Sequence, residues 1–257
     1  MSIAPGTDLF QCAQNVERGD PERFASVMAA PVPAREVLFP LYAFNIEVSR
    51  APWVTSEPMI AQMRLQWWWD SLEEIRAGEV VRRHEVVTPL AALLDAADAA
   101  ILQELVDARR LDVEPAPFDD EAALWTYLEQ TSGGLVQVAA RGLGGRCDAA
   151  ARHFGRAAGL AAYLRAVPEL VSRGRHPLPD GRPETLRRLA RAGLKDLDTA
   201  RRLADRRARP AFAAAPATRW VLNRVAADPG RVAAGELEPP EAVLRLRRVW
   251  TSLTGRW

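Results

Sequence analysis

Between Met59 and Ala77 the chain reads MIAQMRLQWWWDSLEEIRA, and Leu65, Trp68, Trp69, Leu72 and Ile75 fall at helical spacing. That spacing gathers the large apolar residues on one side of an α-helix, whereas a strand would scatter them over both faces. The same period returns in Leu9, Cys12 and Val16, and in Leu186, Leu189, Leu194, Leu197 and Leu203. Ala, Leu, Arg and Glu are abundant and runs of β-branched or aromatic residues are sparse, which favours helices almost everywhere. No Gly/Ser-rich or long charged linker divides the 257 residues. The expectation is an all-α fold in one domain over residues 1–257.

Breakers mark the helix ends. Gly19-Asp20-Pro21 separates two short helices between Asp8 and Met28, with Asp20 as an N-cap before proline. Arg35 to Ser49 reads as a helix bent at Pro40, and Ser56-Glu57-Pro58 opens the next. Pro89 to Arg109 reads as one Ala/Leu helix with Asp95 and Asp98 exposed. Leu111 to Asp120, with Pro115 and Pro117, reads as a loop whose acids cap the helix after it. Pro168 is expected to kink or end the helix that carries it, and Pro210 to Trp220 reads as an Ala/Pro linker.

Several functional classes are excluded or weakened. The 34 Lys/Arg and 33 Asp/Glu give a net charge of +1, which argues against a nucleic-acid binder. Charge is uneven, however: residues 182–209 hold ten Lys/Arg and four Asp/Glu. The leucine stripe there puts that charge on an outer helix face, solvated or set against an anionic membrane surface. Cys12 and Cys147 lack the spacing of a disulfide framework or zinc site, and fit a reducing compartment. His84, His153 and His176 suggest neither a metal nor a nucleophile triad. Asp70, Glu73 and Glu74 have a spacing suited to Mg²⁺, but read better as the polar face of an amphipathic helix. Neither a signal peptide nor an 18-residue apolar run is evident, so a cytoplasmic chain, peripheral at most at an inner membrane, is expected.

Gly159 to Pro179 reads GLAAYLRAVPELVSRGRHPLP. It resembles a helix of squalene and phytoene synthases written Q-x-x-N-x-x-R-D-x-x-E-D, followed by a basic R-G-R turn and Leu-Pro. Arg165, Glu169, Arg173, Gly174, Arg175, Leu178 and Pro179 match. The Gln position holds Gly159, the Asn position Ala162, and the two Asp positions Ala166 and Leu170. Tyr42-Ala43-Phe44 likewise begins a segment similar to the family's Y-A-F-C-R-x-x-D-D-x-x-D. Its Arg position holds Ile46, and its Asp positions hold Ser49, Arg50 and Trp53. Arg64-Leu65 with Trp67-Trp68, and Tyr127 ahead of Ser132-Gly133-Gly134, add further likeness over most of the chain.

The resemblance implies an isoprenoid-synthase-type helical bundle. It also implies a head-to-head prenyl transfer in which aspartates hold the Mg²⁺ ions that neutralise a departing diphosphate. Both aspartate motifs are lost here, so no metal site and no confident catalytic residue is expected. Ala43-Phe44-Asn45-Ile46-Glu47-Val48, Arg64-Leu65-Gln66-Trp67 and Leu164-Arg165-Ala166-Val167-Pro168 resemble A-F-N-V-E-L, R-M-Q-F-W and L-R-A-T-P. Those motifs belong to the branch of the family that includes the mitochondrial assembly factor of respiratory complex I. The expectation is a non-catalytic, binding or assembly role with a respiratory-complex subunit or assembly protein as partner, and no cofactor. The alternative is a diverged prenyl-diphosphate synthase or prenyl-lipid-binding enzyme, for which Mg²⁺ would be needed. Tyr42, Asn45, Glu47, Tyr127, Arg165, Glu169, Arg173 and Arg175 are the candidate pocket residues.

Overall fold

A computed structural model describes residues 4–55, 57–114 and 116–257, so Ser56 and Pro115 lie outside the described residues. Every regular element among the described residues is helical: α1 Asp8–Gly19, α2 Pro21–Met28, α3 Val32–Arg50, α4 Pro58–Ala77, α5 Val87–Leu93, α6 Ala96–Arg109 and α7 Glu121–Leu128. A π-helical turn, Glu129–Gly133, joins α7 to α8 Gly134–Gly142. Then follow α9 Asp148–Ser172, α10 Pro183–Leu203, α11 Arg209–Ala213, α12 Thr218–Ala227, α13 Gly230–Ala234 and α14 Glu241–Thr254. The capping signals act where the sequence places them. Asp20 accepts from the Arg23 amide at 2.9 Å and Asp120 from the Ala123 amide at 2.8 Å, each satisfying an N-terminal donor with no partner inside its helix.

Two helices form the axis of the molecule. In α3, Leu38, Phe39, Leu41, Tyr42, Phe44 and Ile46 are all buried, so the helix is apolar nearly all round and is covered by α1, α2, α5, α6 and α8. In α9, Phe154, Leu160, Leu164 and Val167 form the core of the C-terminal half, against α8, α10, α12 and the π turn. The Asp70, Glu73 and Glu74 face is tied up locally. Gln66 donates to Asp70, Arg76 and Gln103 donate to Glu73, and Arg82 donates to Glu74.

Four expectations change. Pro89 to Arg109 is two helices, because Leu94 is extended and Asp95 caps α6 by accepting from the Asp98 amide at 2.8 Å. Asp98 is buried rather than exposed, paired with Arg141 at 3.3 Å, which also reaches Asp148 at 2.6 Å. Pro168 does not end its helix: α9 runs on to Ser172, since burial of Leu164 and Val167 offsets one lost backbone donor. The Pro210 to Trp220 segment contains most of α11 and the start of α12, where burying Phe212 and Ala217 outweighs the two prolines. No helix among the described residues is long and apolar enough to cross a membrane.

Candidate functional site

The C-terminal end of α3 carries Ser49 and Arg50, and the 3₁₀ turn after it carries Trp53. On the other side, α9 carries Ala166, Glu169 and Leu170. All six line one cavity of about 800 Å³. Its remaining walls come from Arg109 at the end of α6, Asp112, Phe118, Tyr127 of α7, Tyr163 of α9, and the turn holding Arg173, Arg175 and His176. The two degraded motifs, remote in the chain, therefore face the same space.

Arginine and aromatic groups dominate that space. The guanidiniums of Arg173 and Arg175 each lie 5.2 Å from the centre of the Trp53 ring, a distance at which the ring face attracts a cation. Arg173 also bridges to Glu169 at 2.7 Å, and Arg175 donates to the Asp112 carbonyl at 2.9 Å. Arg109 bonds Asp112 at 3.0 Å, and the Tyr127 hydroxyl accepts from Arg109 and donates to Asp112 at 2.9 Å. Burial pushes the Tyr127 hydroxyl well above its usual range, with Asp112 adding to the shift, so it stays a neutral donor. The Arg109 Nε is buried and has no hydrogen-bond partner among the described residues. Tyr163, its hydroxyl also raised by burial, donates to the Pro177 carbonyl at 2.8 Å and packs near Phe118 and Tyr127.

A second cavity of about 610 Å³ shares Ser49, Arg109, Tyr127, Tyr163 and Ala166 with the first and extends between α3, α9 and α12 past Asn45, Gly159 and Ala162. Beside it α9 approaches the π turn closely at two glycines, of which Gly159 lines the cavity. A Cβ at Gly155 would stand 2.3 Å from the Gly133 Cα, and one at Gly159 would stand 2.8 Å from the Ser132 Cβ. The small residues thus let α9 press on the π turn, a close contact that offsets the helix-propensity cost of glycine.

The candidate residues divide between these spaces. Glu169, Arg173 and Arg175 line the first cavity, Asn45 and Arg165 the second, and Tyr127 both. Arg165 is occupied by Glu238 at 2.5 Å and Glu22 at 3.4 Å. Tyr42 and Glu47 line neither. Tyr42 is core beneath the Arg23 guanidinium, its hydroxyl pushed up to about 12 by burial, and Glu47 accepts from Asn15 at 2.9 Å. Arg109, Asp112, Phe118 and Tyr163 complete the site without having been singled out. Only Tyr163 carried a signal, lying one helical turn before Ala166.

Magnesium needs several oxygen ligands in near-octahedral geometry at about 2.0–2.1 Å. Ser49, Trp53, Ala166 and Leu170 supply no carboxylate. Of the acids on the cavity wall, Asp112 is held by Arg109 and Tyr127, Glu169 by Arg173, and Glu114 and Asp119 are exposed. No three His, Cys, Asp or Glu side chains among the described residues are grouped to hold a metal. This donor set does not fit a Mg²⁺–diphosphate cluster.

Known proteins share both fold and sequence with this chain. The crystal structure of a dehydrosqualene synthase in complex with ligand superposes with a TM-score of 0.74 at 15% identity, covering 96% of this chain and 97% of that one. Squalene synthase HpnC from Alicyclobacillus acidocaldarius gives 0.70 at 16% identity, over 89% and 94% of the two chains. In sequence, the NADH dehydrogenase (ubiquinone) complex I assembly factor 6 of Bos taurus is 28% identical over 68% of this chain and 54% of its own length. The Drosophila melanogaster homolog is 33% identical over 63% and 52%, and the human protein 28% over 68% and 53%. The chain spans about half the length of these curated relatives. The model of the squalene/phytoene synthase family matches residues 16–181, more than half of the chain. With the isoprenoid-synthase fold and the two facing motif remnants in place, the chain belongs to the squalene/phytoene synthase family.

Proposed function

We propose that this protein works by binding, without prenyl transfer, and serves as an assembly factor for respiratory complex I at the inner face of a membrane. The observation that carries the reading is the cavity itself. Its two facing walls hold Ser49, Trp53, Ala166 and Leu170 where the synthase motifs hold aspartates, and Arg173 and Arg175 cover Trp53. A departing diphosphate has no metal cluster to neutralise it there, so the chemical step loses its main electrostatic support. The likeness to complex I assembly factor 6, 28–33% identical over about two thirds of this chain, supports the same reading.

One observation favours a retained ligand beside that role. The cavity is open rather than filled, with aromatic walls and Arg50, Arg109, Arg173 and Arg175 on its lining, a combination suited to an apolar chain with an anionic head such as a prenyl lipid. Such a ligand would be bound without Mg²⁺.

Deletion of the gene separates the assembly role from that of a diverged prenyl synthase. Membrane NADH oxidation by complex I and the isoprenoid profile are measured in the deletion strain, with the wild-type gene restored in parallel. The expected result is loss of complex I activity, rescued by wild type, with isoprenoids unchanged. Normal complex I with loss of a squalene-type or carotenoid product would refute the assembly role.

A further inference from the structure

The C-terminal helix α14 keeps most of its large apolar residues outside the body of the protein. Leu246, Val249, Trp250 and Leu253 are 70%, 57%, 56% and 81% exposed. At 3.6 residues per turn they share a stripe about 100° wide, so this is one continuous face rather than scattered surface residues. The opposite side of α14 holds the helix in place. Leu244 packs on the C-terminal core, Arg247 donates to the Pro216 carbonyl at 3.0 Å, and Trp257 beyond the helix stacks on Phe212 at 4.7 Å. The helix is thus docked by one face, with its more apolar face outward.

The surface beside that face is strongly basic. Trp250 shares a groove with Arg201, Arg206, Arg209, Arg247 and Arg256, in which Asp205 is the one acid, and a neighbouring groove adds Arg207 and Arg248. Among the described residues Arg206, Arg207, Arg209, Arg247, Arg248 and Arg256 make no ion pair, whereas Arg219 and Arg245 nearby are paired with Asp198 and Glu241. Arg247 is pushed below its usual range chiefly by burial, with Arg219 adding to the shift. A second copy of this chain is a poor occupant, since a symmetric contact would bring two arginine clusters together. A protruding Leu/Val/Trp stripe bordered by arginines instead has the form of a helix lying in a lipid interface, apolar side among the acyl chains and cations at the headgroups.

We propose that α14 and its arginine border are the surface by which this protein docks on an anionic membrane. The proposal rests on the assembly reading for its location, because a factor for a membrane-bound complex works at that membrane.

Flotation with lipid vesicles tests it. The purified full chain is mixed with phosphatidylcholine vesicles, or with vesicles in which part of that lipid is replaced by phosphatidylglycerol. It is expected to float with the anionic vesicles only, and less as salt rises. A Leu246→Glu/Leu253→Glu variant and an Arg206→Glu/Arg256→Glu variant should each bind about ten-fold more weakly. Circular dichroism and melting curves check that both stay folded, and Leu246→Ser/Leu253→Ser stands in if the glutamate pair does not. Absence of flotation by wild type, or equal flotation by the variants, overturns the proposal. So does a doubled solution mass abolished by Leu246→Glu/Leu253→Glu, or capture of duplex DNA or an acidic peptide in preference to vesicles. Anionic flotation with intact complex I in the deletion strain keeps the docking face and removes the assembly reading. A complex I defect without flotation does the reverse.

Discussion

Replacing Gly155 by alanine sets two effects of opposite sign against each other. Alanine in place of a mid-helix glycine favours the folded helix by about 1 kcal/mol. Against this, the new Cβ would lie 2.3 Å from the Gly133 Cα, 2.6 Å from its nitrogen and 2.8 Å from the Ser132 carbonyl carbon. All three are backbone atoms, so no rotamer change relieves the clash, and α9 and the π turn have to part by about 1 Å to restore ordinary contact. A gap of about that size forfeits roughly a quarter to a half of each neighbouring dispersion contact. Overpacking of this kind typically costs about 1–3 kcal/mol, and a backbone clash belongs at the upper end. The net expectation is a loss of about 2 kcal/mol, and a melting temperature lower by about 4–8 °C for a chain of this size. Urea and thermal unfolding of wild type and Gly155→Ala measure it. Gly193→Ala is the control, because its Cβ would meet the ends of the Leu222 and Leu160 side chains at 3.1 and 3.2 Å. Those ends can move, so its change should stay within about 1 kcal/mol of zero. If Gly155→Ala is as stable as wild type, helix propensity has won and the close approach of α9 to the π turn is not as described.

Other outcomes follow from the same structure. Purified protein with Mg²⁺ and radiolabelled farnesyl or geranylgeranyl diphosphate should give no squalene- or phytoene-type product above a no-enzyme control. Mg²⁺ with diphosphate should raise the melting temperature by less than about 1 °C, since stabilisation follows RT ln(1 + [L]/Kd) and the cavity lacks the metal ligands. A concentration-dependent rise requiring both ions would contradict this. Cys12 and Tyr42 are held near 12, above ordinary values of 9.0 and 10.0, each chiefly by burial. Their protonated forms favour the fold, so stability present at neutral pH should be lost as pH rises from about 9 towards 12, read from melting temperatures across that range. Arg141→Leu should cost about 3 kcal/mol by leaving Asp98 charged and buried, and an added Asp98→Leu should recover part of that in urea titrations.

Much of this architecture was legible in the chain alone. Apolar spacing identified the helices because a buried stripe needs the helical period, and Asp20 and Asp120 marked helix starts because their side chains act on amides three residues away. The loss of carboxylates at Ser49, Trp53, Ala166 and Leu170 could also be read directly, since a residue's chemistry does not wait for folding. Tertiary structure decided who meets whom. Asp98 looked like an exposed acid because its partner Arg141 comes from another helix. Tyr42 and Glu47 fell on the right helix but away from both cavities, because a one-position change in a 3.6-residue period turns a side chain by about 100°. The Arg109, Asp112 and Tyr127 network, and the two arginines over Trp53, join segments that only packing brings together. The outward face of α14 belongs to the same class: the sequence contains an amphipathic helix, but which side is left uncovered depends on what the rest of the chain has already buried.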